Sequence, residues 1–583
     1  MEKINITIDE TKLQVDKGST IMEAAELLGI KIPRLCYHPA LSVEGACRIC
    51  IVQVDGARNF LPSCATKVAE GMVIRTNSPE IRQARRDILE LILDNHPMEC
   101  QTCDRDANCE LQNLAYTMGV RERIFEGRRK EHAVETSSAS VIRNAQKCIL
   151  CRRCVRVCSE VQSVHNLSQL YRGVDTVVAP AFEAPMAESV CINCGQCINV
   201  CPVAAFLEKG STDKVWKALA DSSKHVVVQI APSIRAAIGE GFDLPPGMPM
   251  TAQTVTALRR LGFDAVFDTN FGADLTIVEE STELIKRLQG GEKLPLLTSC
   301  SSGWVKFLEH FYPDLMPNAS TCKSPMSMLS ILLKTYYAQA KGLKPENIFV
   351  VAVMPCTAKK FEAERPELAF ADGRPHTDAV LTTRELVWMI KAYGIDFVNL
   401  PEGEFDAPLG FSSGAADIFG ATGGVMEAAL RTAAEKLTGQ PLKDLNFLEV
   451  RADKGLREAA INIGGKVLNV AVTDGLGNAR VILDRIRSGE KQYHLVEIMA
   501  CPGGCIGGGG QPYPTGGRYV LDPEVNRMRA SALYRIDEAK TIRVSHENPF
   551  IKKLYAEFLG EPGAAKAHEL LHTHYRQREP RGV

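Results

Sequence analysis

The sequence predicts an α/β region with parallel strands from about residue 210 onward, preceded by small α+β domains built around cysteine. Two observations point there. Fifteen of the 20 cysteines lie before residue 202, in tight groups. After residue 210, apolar strand-like runs alternate with helical stretches, and three of those runs end at a cysteine. Alternation of this kind argues for layered α/β architecture. Ligand sites in open α/β sheets lie beyond the carboxyl ends of the strands. At 583 residues the chain has room for roughly four domains.

Composition narrows the function. Apolar content of 45% and charged content of 24% are ordinary for a globular protein. A net charge of −2 gives no reason to expect nucleic acid or an anionic membrane as partner, and no apolar run is long enough to span a bilayer. The start, Met1 to Asp9, alternates like a strand and lacks the apolar core of a secretion signal. A cytoplasmic location is expected, where disulfides are rare and clustered cysteines hold metal.

In residues 1–78, Ile4, Ile6 and Ile8 alternate and lead with Leu13 and Val15 into a hairpin. Thr20 and Glu23 form a capping box, and Gly29 suits the helix end. Cys36, Cys47, Cys50 and Cys64 follow in a glycine-containing loop, a spacing that suits a 2Fe-2S cluster. Zinc and free thiols are the alternatives. In residues 79–120, Ser78 and Pro79 open a helix whose apolar stripe is Ile81, Ala84, Ile88, Leu91 and Ile92. His96, Cys100, Cys103 and Cys109 then offer one imidazole and three thiolates for a 4Fe-4S cluster, with zinc as the alternative. The charged residues 120–140 read as a solvated linker.

Residues 141–209 hold the most specific local signal. Cys148, Cys151, Cys154 and Cys158 are followed by Cys191, Cys194, Cys197 and Cys201-Pro202. In the bacterial two-cluster ferredoxin repeat, the fourth cysteine of each run crosses to the other cluster. The expected sets are Cys148, Cys151, Cys154 and Cys201 for one 4Fe-4S centre, and Cys191, Cys194, Cys197 and Cys158 for the second.

Beyond residue 210 the strand-like runs are 225–230, 264–267, 294–298, 349–354, 466–472 and 494–499. Three run into Cys300, Cys356 and Cys501, so these thiols and Cys505 can meet at one point. Cys505 sits in a glycine-rich loop, where backbone can close tightly.

These strand ends read Thr298-Ser-Cys-Ser-Ser-Gly-Trp304, Met354-Pro-Cys-Thr-Ala-Lys-Lys-Phe-Glu362 and Glu497-Ile-Met-Ala-Cys-Pro-Gly-Gly-Cys505. They resemble the three signature motifs of iron-only (FeFe) hydrogenases, and the resemblance runs over essentially the whole chain. The cysteine spacing in residues 1–78 and the histidine-and-cysteine site in residues 79–120 also resemble the large peripheral-arm subunit of complex I. The hydrogenase resemblance implies an α/β catalytic domain over 210–583, two parallel-sheet lobes around an H-cluster. Before it would come a β-grasp 2Fe-2S domain, a histidine-ligated 4Fe-4S domain and a two-4Fe-4S ferredoxin domain. The implied cofactors are one 2Fe-2S cluster, three 4Fe-4S clusters and the H-cluster: a cubane plus a diiron unit with carbonyl, cyanide and azadithiolate ligands.

By matching positions, Cys356, Cys501 and Cys505 would hold the cubane, and Lys359 would meet a cyanide. Pro232, Ser233, Met354, Phe419 and Met499 would line the pocket. Protons would pass through Cys300, Glu280, Ser320 and Glu283 toward Arg287. Read from the residues alone, Glu280 and Glu283 are as well explained as a solvated helix face. One departure stands out: Ser301 occupies the position of a cubane cysteine, and serine is a hard donor for this iron site. Cys322 is expected to supply the missing ligand while Cys300 carries protons. The reverse assignment and an inert buried Cys322 are the alternatives.

The implied activity is reversible oxidation of H2 to protons. Electrons would go to a flavin- and NAD(P)-binding subunit through a small iron–sulfur subunit, and to ferredoxin, in an electron-bifurcating assembly. No dinucleotide fingerprint occurs in the chain itself. Competing readings are a monomeric ferredoxin-dependent hydrogenase, a non-catalytic electron-wire subunit and a sensory relative.

Overall fold

The computed structural model describes residues 2–125, 127–290, 293–451 and 455–579. Strands Lys3–Ile8 and Thr11–Asp16 form the expected hairpin, with Ile4 opposite Val15 and Ile6 opposite Leu13. Period-two alternation puts Ile4, Ile6 and Ile8 on one face, and all three are buried. Three more strands complete a five-stranded sheet in which Lys3–Ile8 runs parallel to Val73–Arg75. Thr20 and Glu23 exchange hydrogen bonds as a capping box on Ile21–Leu27.

Ser78 caps the helix Pro79–Asp94, with proline in its first turn. Its buried face overlaps the predicted stripe at Ile81, with Ile88 and Ile92 packed at the core's edge, but is rotated from it. Ile81, Arg85, Leu89 and Leu93 point inward, and Leu91 is 56% exposed. Arg85 causes the rotation: its guanidinium donates to Ile51 O at 2.7 Å, so its hydrocarbon stem joins the core. The segment 120–140 is also less solvated than expected. Arg129 Nε donates to Asp94 O at 3.1 Å and Lys130 Nζ to Cys148 O at 2.9 Å, which ties this segment across two cysteine sites. Antiparallel strands Val141–Arg143 and Phe206–Glu208 bracket the paired cysteine runs.

Two four-stranded sheets form the catalytic part. One has the order Ala265–Asp268, His225–Ile230, Ile348–Met354, Ala379–Thr382, all parallel. The other has the order Leu296–Leu297, Leu495–Met499, Lys466–Asp474, Leu456–Ile463. Its first three strands are parallel and its last is antiparallel, returned by a Gly464-Gly465 turn with both φ positive. Ala379–Thr382 and Leu456–Ile463 escaped the sequence reading. The first is only four residues long. The second is an edge strand whose polar residues blur the alternation.

Between the lobes runs the helix Thr269–Leu288, buried along most of its 20 residues. Leu275 packs into a core with Leu329 and Leu332, while Ile277 and Leu284 pack into another with Val425 and Met426. A helix buried nearly all round, polar residues included, is central to the fold. That centrality takes Glu279, Glu280 and Glu283 out of water. Among the described residues, no helix is long and apolar enough to cross a membrane.

Candidate metal centre and proton relay

Cys300, Cys356 and Cys501 each lie just past the carboxyl end of a strand: Leu296–Leu297, Ile348–Met354 and Leu495–Met499. Electrostatic coupling places them together. Cys505 neighbours Cys356, Lys359 and Glu497, and Cys501 neighbours Cys356 and Cys505. Burial, followed by the Cys356 charge, raises Cys505 to about 12 and Cys501 higher still. Thiols so placed need a cation to ionise. Lys359 brings one. Its Nζ donates to Glu362 Oε2 at 2.7 Å and to Cys300 O at 3.2 Å. Glu362 in turn accepts from Ser327 at 2.7 Å, and from Ser302 and Ser324, which fixes the direction of the lysine. Glu362 was missed as a positioning residue, although it stands one helical turn after Lys359 in the same motif.

The loop that carries Cys501 and Cys505 presses backbone against backbone. A Cβ on Gly509 would meet Cys194 O at 2.2 Å, and one on Gly504 would meet Thr422 N at 2.8 Å. The glycines therefore serve close approach of the ferredoxin-type segment and of the 420–422 loop. Gln196 Nε2 donates to Gly507 O at 3.0 Å, and Thr357 Oγ1 to Asn193 O at 2.7 Å.

Pro232, Ser233, Met354, Phe419 and Met499 are all buried. Phe419 and Met499 share a core with Cys300. Ser233 Oγ has no hydrogen-bond partner, and a Cβ on Gly420 would lie 3.1 Å from Ser233 Cβ. An orphaned buried hydroxyl calls for a partner.

The relay residues line up on the opposite side of Cys300. Burial first, then the Glu280 charge, hold the Cys300 thiol well above its usual range. Neither oxygen of Glu280 makes a hydrogen bond. Burial, then Glu283, raise Glu280 to about 8, against smaller opposing effects of the Ser320 hydroxyl and the Ser299 backbone. Ser320 Oγ donates to Glu283 Oε2 at 2.8 Å, and Arg287 Nη2 to Glu283 Oε1 at 2.7 Å. The solvated-face alternative for Glu280 fails, since this residue is 2% exposed.

Cys322 does not reach the thiol group. Its Sγ lies 4.0 Å from Glu283 Oε2. Burial, then Glu283, Glu280 and Glu279, raise it far above the thiol range. Its Sγ therefore sits on the carboxylate side of the helix, while its carbonyl accepts from Ser299 Oγ at 2.8 Å, next to Cys300. Ser301 Oγ accepts from Ala500 N at 3.2 Å, one residue before Cys501.

The N-terminal thiols gather in four groups. Cys36 and Cys47 exchange N–H···S bonds at 3.4 and 3.5 Å, Cys50 lies 3.4 Å from Cys64, and Cys36 interacts with Cys64. His96, Cys100, Cys103 and Cys109 line one small cavity. Burial, then Lys147, depress His96 to about 4, so its imidazole is neutral, and Nδ1 has no partner. Cys154 adjoins Cys151, Cys148 and Cys201, while Cys197 adjoins Cys191 and Cys158. Cys158, Cys191, Cys194 and Cys197 line a second cavity. Cys194 is charge-coupled to Cys501. Arg156 Nη2 donates both to Cys36 O at 2.6 Å and to Cys151 O at 3.4 Å. The first group therefore adjoins the Cys151 group directly. Among the described residues every cysteine is free.

Comparison with known proteins follows the same order along the chain. Residues 1–79 match a 2Fe-2S iron-sulfur cluster binding domain, and 85–123 the NADH-ubiquinone oxidoreductase-G iron-sulfur binding region. Residues 147–205 match a 4Fe-4S dicluster domain, and 224–509 the C-terminal domain of the iron only hydrogenase large subunit. The NADP-reducing hydrogenase subunit HndD of Solidesulfovibrio fructosivorans is 50% identical, over 99% of this chain and 100% of that one. The chain belongs to the iron-only (FeFe) hydrogenases. Iron hydrogenase 1 of Clostridium pasteurianum is 41% identical over 98% of this hydrogenase and 100% of its own length. The solved structure of FeFe-hydrogenase HydA1 from Chlamydomonas reinhardtii is 45% identical and superposes with a TM-score of 0.57, covering 63% of this chain and 99% of that one. Residues 523–578 of this hydrogenase match the iron hydrogenase small subunit, a segment the sequence reading had left undivided within the catalytic domain.

The H-cluster and the 2Fe-2S and 4Fe-4S clusters of this family suit the donors present. Soft thiols meet at three strand ends, a cation stands beside them, and two buried polar groups, Ser233 and Glu280, lack partners.

Proposed function

We propose that this chain is the catalytic subunit of an NAD(P)-linked hydrogenase that interconverts H2 with protons and electrons. The convergence of Cys356, Cys501 and Cys505 with Lys359 behind a buried carboxylate relay carries this reading. When bound, the H-cluster supplies the open iron site at which H2 is split or formed. The chain's own residues do the rest. Cys356, Cys501 and Cys505 hold the cubane, and Ser301 Oγ, directed at Ala500 beside Cys501, takes the fourth position. Lys359, oriented by Glu362, offers a compact cation to an anionic ligand. Pro232, Ser233, Met354, Phe419 and Met499 exclude water. Cys300 hands protons to Glu280. With a pKa of about 8, Glu280 can both take and release them near neutrality, and Ser320 and Glu283 carry them on.

One 2Fe-2S and three 4Fe-4S clusters, on the four cysteine groups, take the electrons. The close approach of Gly509 to Cys194 O supports an entry there, and the Arg156 bridge supports a branch at the Cys151 centre. The next carriers are a small iron–sulfur subunit and a flavin subunit that binds NAD(P), with ferredoxin as second partner in a bifurcating scheme. HndD is named as a subunit of an NADP-reducing hydrogenase, which favours this over a stand-alone enzyme. A cytoplasmic location agrees with thiols held for iron.

Infrared spectroscopy of the matured protein tests the core of the proposal. Carbonyl and cyanide bands, together with H2 evolution from a strong reductant, are expected. Protein with full iron but neither signal refutes the reading and leaves the electron-wire alternative. Purification from the native host, with a flavin-containing partner expected, tests the electron acceptor.

A further inference from the structure

The relay just described stops at a group that cannot continue it. The Arg287 guanidinium offers donors only, so it holds Glu283 in place without accepting from it. A second set of titratable groups lies alongside. Glu279, next to Glu280 on the helix, is 1% exposed. It accepts from Tyr555 OH and from Gly563 N at 2.9 Å, and lies 3.1 Å from His572 Nε2. The other ring nitrogen, His572 Nδ1, lies 2.7 Å from Thr321 Oγ1. With Nδ1 donating to the threonine oxygen, Nε2 is free to take a proton from the Glu279 carboxyl. The His572 ring stacks on that of exposed His568, with centroids 4.6 Å apart and planes at 8°.

Residues 320–322 connect the two sets. Ser320 Oγ and Cys322 Sγ reach Glu283 Oε2, at 2.8 and 4.0 Å, while Thr321 between them reaches His572. The segment is held by the chain just after the last helix: Thr573 N donates to Thr321 O and Lys323 N to Leu571 O, both at 2.8 Å. The Cys322 thiol feels the charge of Glu279, Glu280 and Glu283 together.

Resting on the hydrogenase reading above, we propose that Glu279, His572 and His568 form a second outlet of the proton relay, joined to Glu280 and Glu283 through the Cys322 thiol. A proton arriving on Glu279 moves to His572, and the imidazolium releases it to solvent beside His568; no electrons are exchanged. The titratable and charged groups facing this pair are Glu280 and Glu283 on the same helix, Cys322 and Lys323 on the connecting segment, Tyr555, His568 and Lys436.

Glu283→Gln, His572→Gln and the double variant, matured and matched for iron, test the proposal. Parallel outlets predict single losses of H2 oxidation within about tenfold and a double loss of about 10²–10⁴-fold, the range of positioned proton transfer. In His572→Ala, imidazole buffers should restore the rate in step with their basicity, which a purely structural strap would not show. The pH–rate profile of His572→Gln should change shape in the neutral range, where histidine ordinarily titrates. Independently of turnover, protein without the diiron unit should show the Glu279 carboxyl infrared band, identified by Glu279→Gln, displaced in His572→Gln. If His572→Gln fails to fold, His568→Gln at the surface takes its place in the double variant. A double variant no worse than Glu283→Gln, with no imidazole rescue, overturns the outlet. Absence of carbonyl and cyanide bands in wild type would instead remove the hydrogenase reading beneath it.

Discussion

Glu280→Gln is the most informative single substitution, because it should raise stability while lowering activity. The carboxyl is 2% exposed, and neither oxygen has a hydrogen-bond partner. Its pKa travels from 4.5 to about 8 on folding. Since the folded value is the higher, the native state holds a proton that the unfolded chain releases. The linked destabilisation is absent below about pH 4.5, grows as pH rises and levels off above about 8. At about 1.4 kcal/mol per pH unit, it costs roughly 3 kcal/mol at pH 7 and roughly 5 kcal/mol above pH 8. Glutamine keeps the shape and carries no charge, so it avoids this cost. It also cannot relay a proton, and a loss of about 10²–10⁴-fold in H2 oxidation is expected. The assay is thermal unfolding of wild type and variant from pH 5 to pH 9, with H2 uptake at each pH. The melting-temperature gap in favour of the variant should be near zero at pH 5 and widen steadily. A gap that does not depend on pH would show that Glu280 is not buried as a proton-binding group. Retained activity would remove it from the path.

Cys322→Ala should retain a full cubane by iron count and electron paramagnetic resonance. Ser301→Ala should lose cubane iron, and Ser301→Cys should keep it; cubane loss in Cys322→Ala would restore the original ligand assignment. Lys359→Ala leaves Glu362 as a buried charge without its cation, a change worth about 3–5 kcal/mol. It should lower the melting temperature and abolish carbonyl and cyanide bands after maturation, while cubane iron persists. Gly509→Ala places a Cβ 2.2 Å from Cys194 O. It should slow reduction of external acceptors far more than hydrogen–deuterium exchange catalysed at the active site; equal slowing of both would refute the role of this close approach in electron transfer.

Much of the chemistry was legible because spacing along the chain constrains it. Two CxxCxxC runs of that length have few uses other than iron–sulfur binding. Cys300 and Cys501 fall on one side because their strands run parallel in one sheet and so deliver their carboxyl ends together, while Cys356 follows a strand of the other sheet. The helix stripe at Leu91 was misread because a periodic pattern does not reveal that an arginine stem can take a core position, as Arg85 does. The edge strand Leu456–Ile463 was lost because its polar face follows the solvent and not the sheet period.

Cysteine spacing, glycine placement and strand-end motifs by themselves determined the domain order, the family and most of the metal-binding residues, because each is a local pattern tied to local geometry. Only the tertiary structure decided that Cys322 lies beside Glu283, that Ser301 bonds Ala500 next to Cys501, and that Glu279 meets His572, 293 residues away. Those pairings depend on how the central helix is rotated between two lobes and on where the C-terminal segment lies down. Both are fixed by the packing of distant apolar surfaces, which no single stretch of sequence contains.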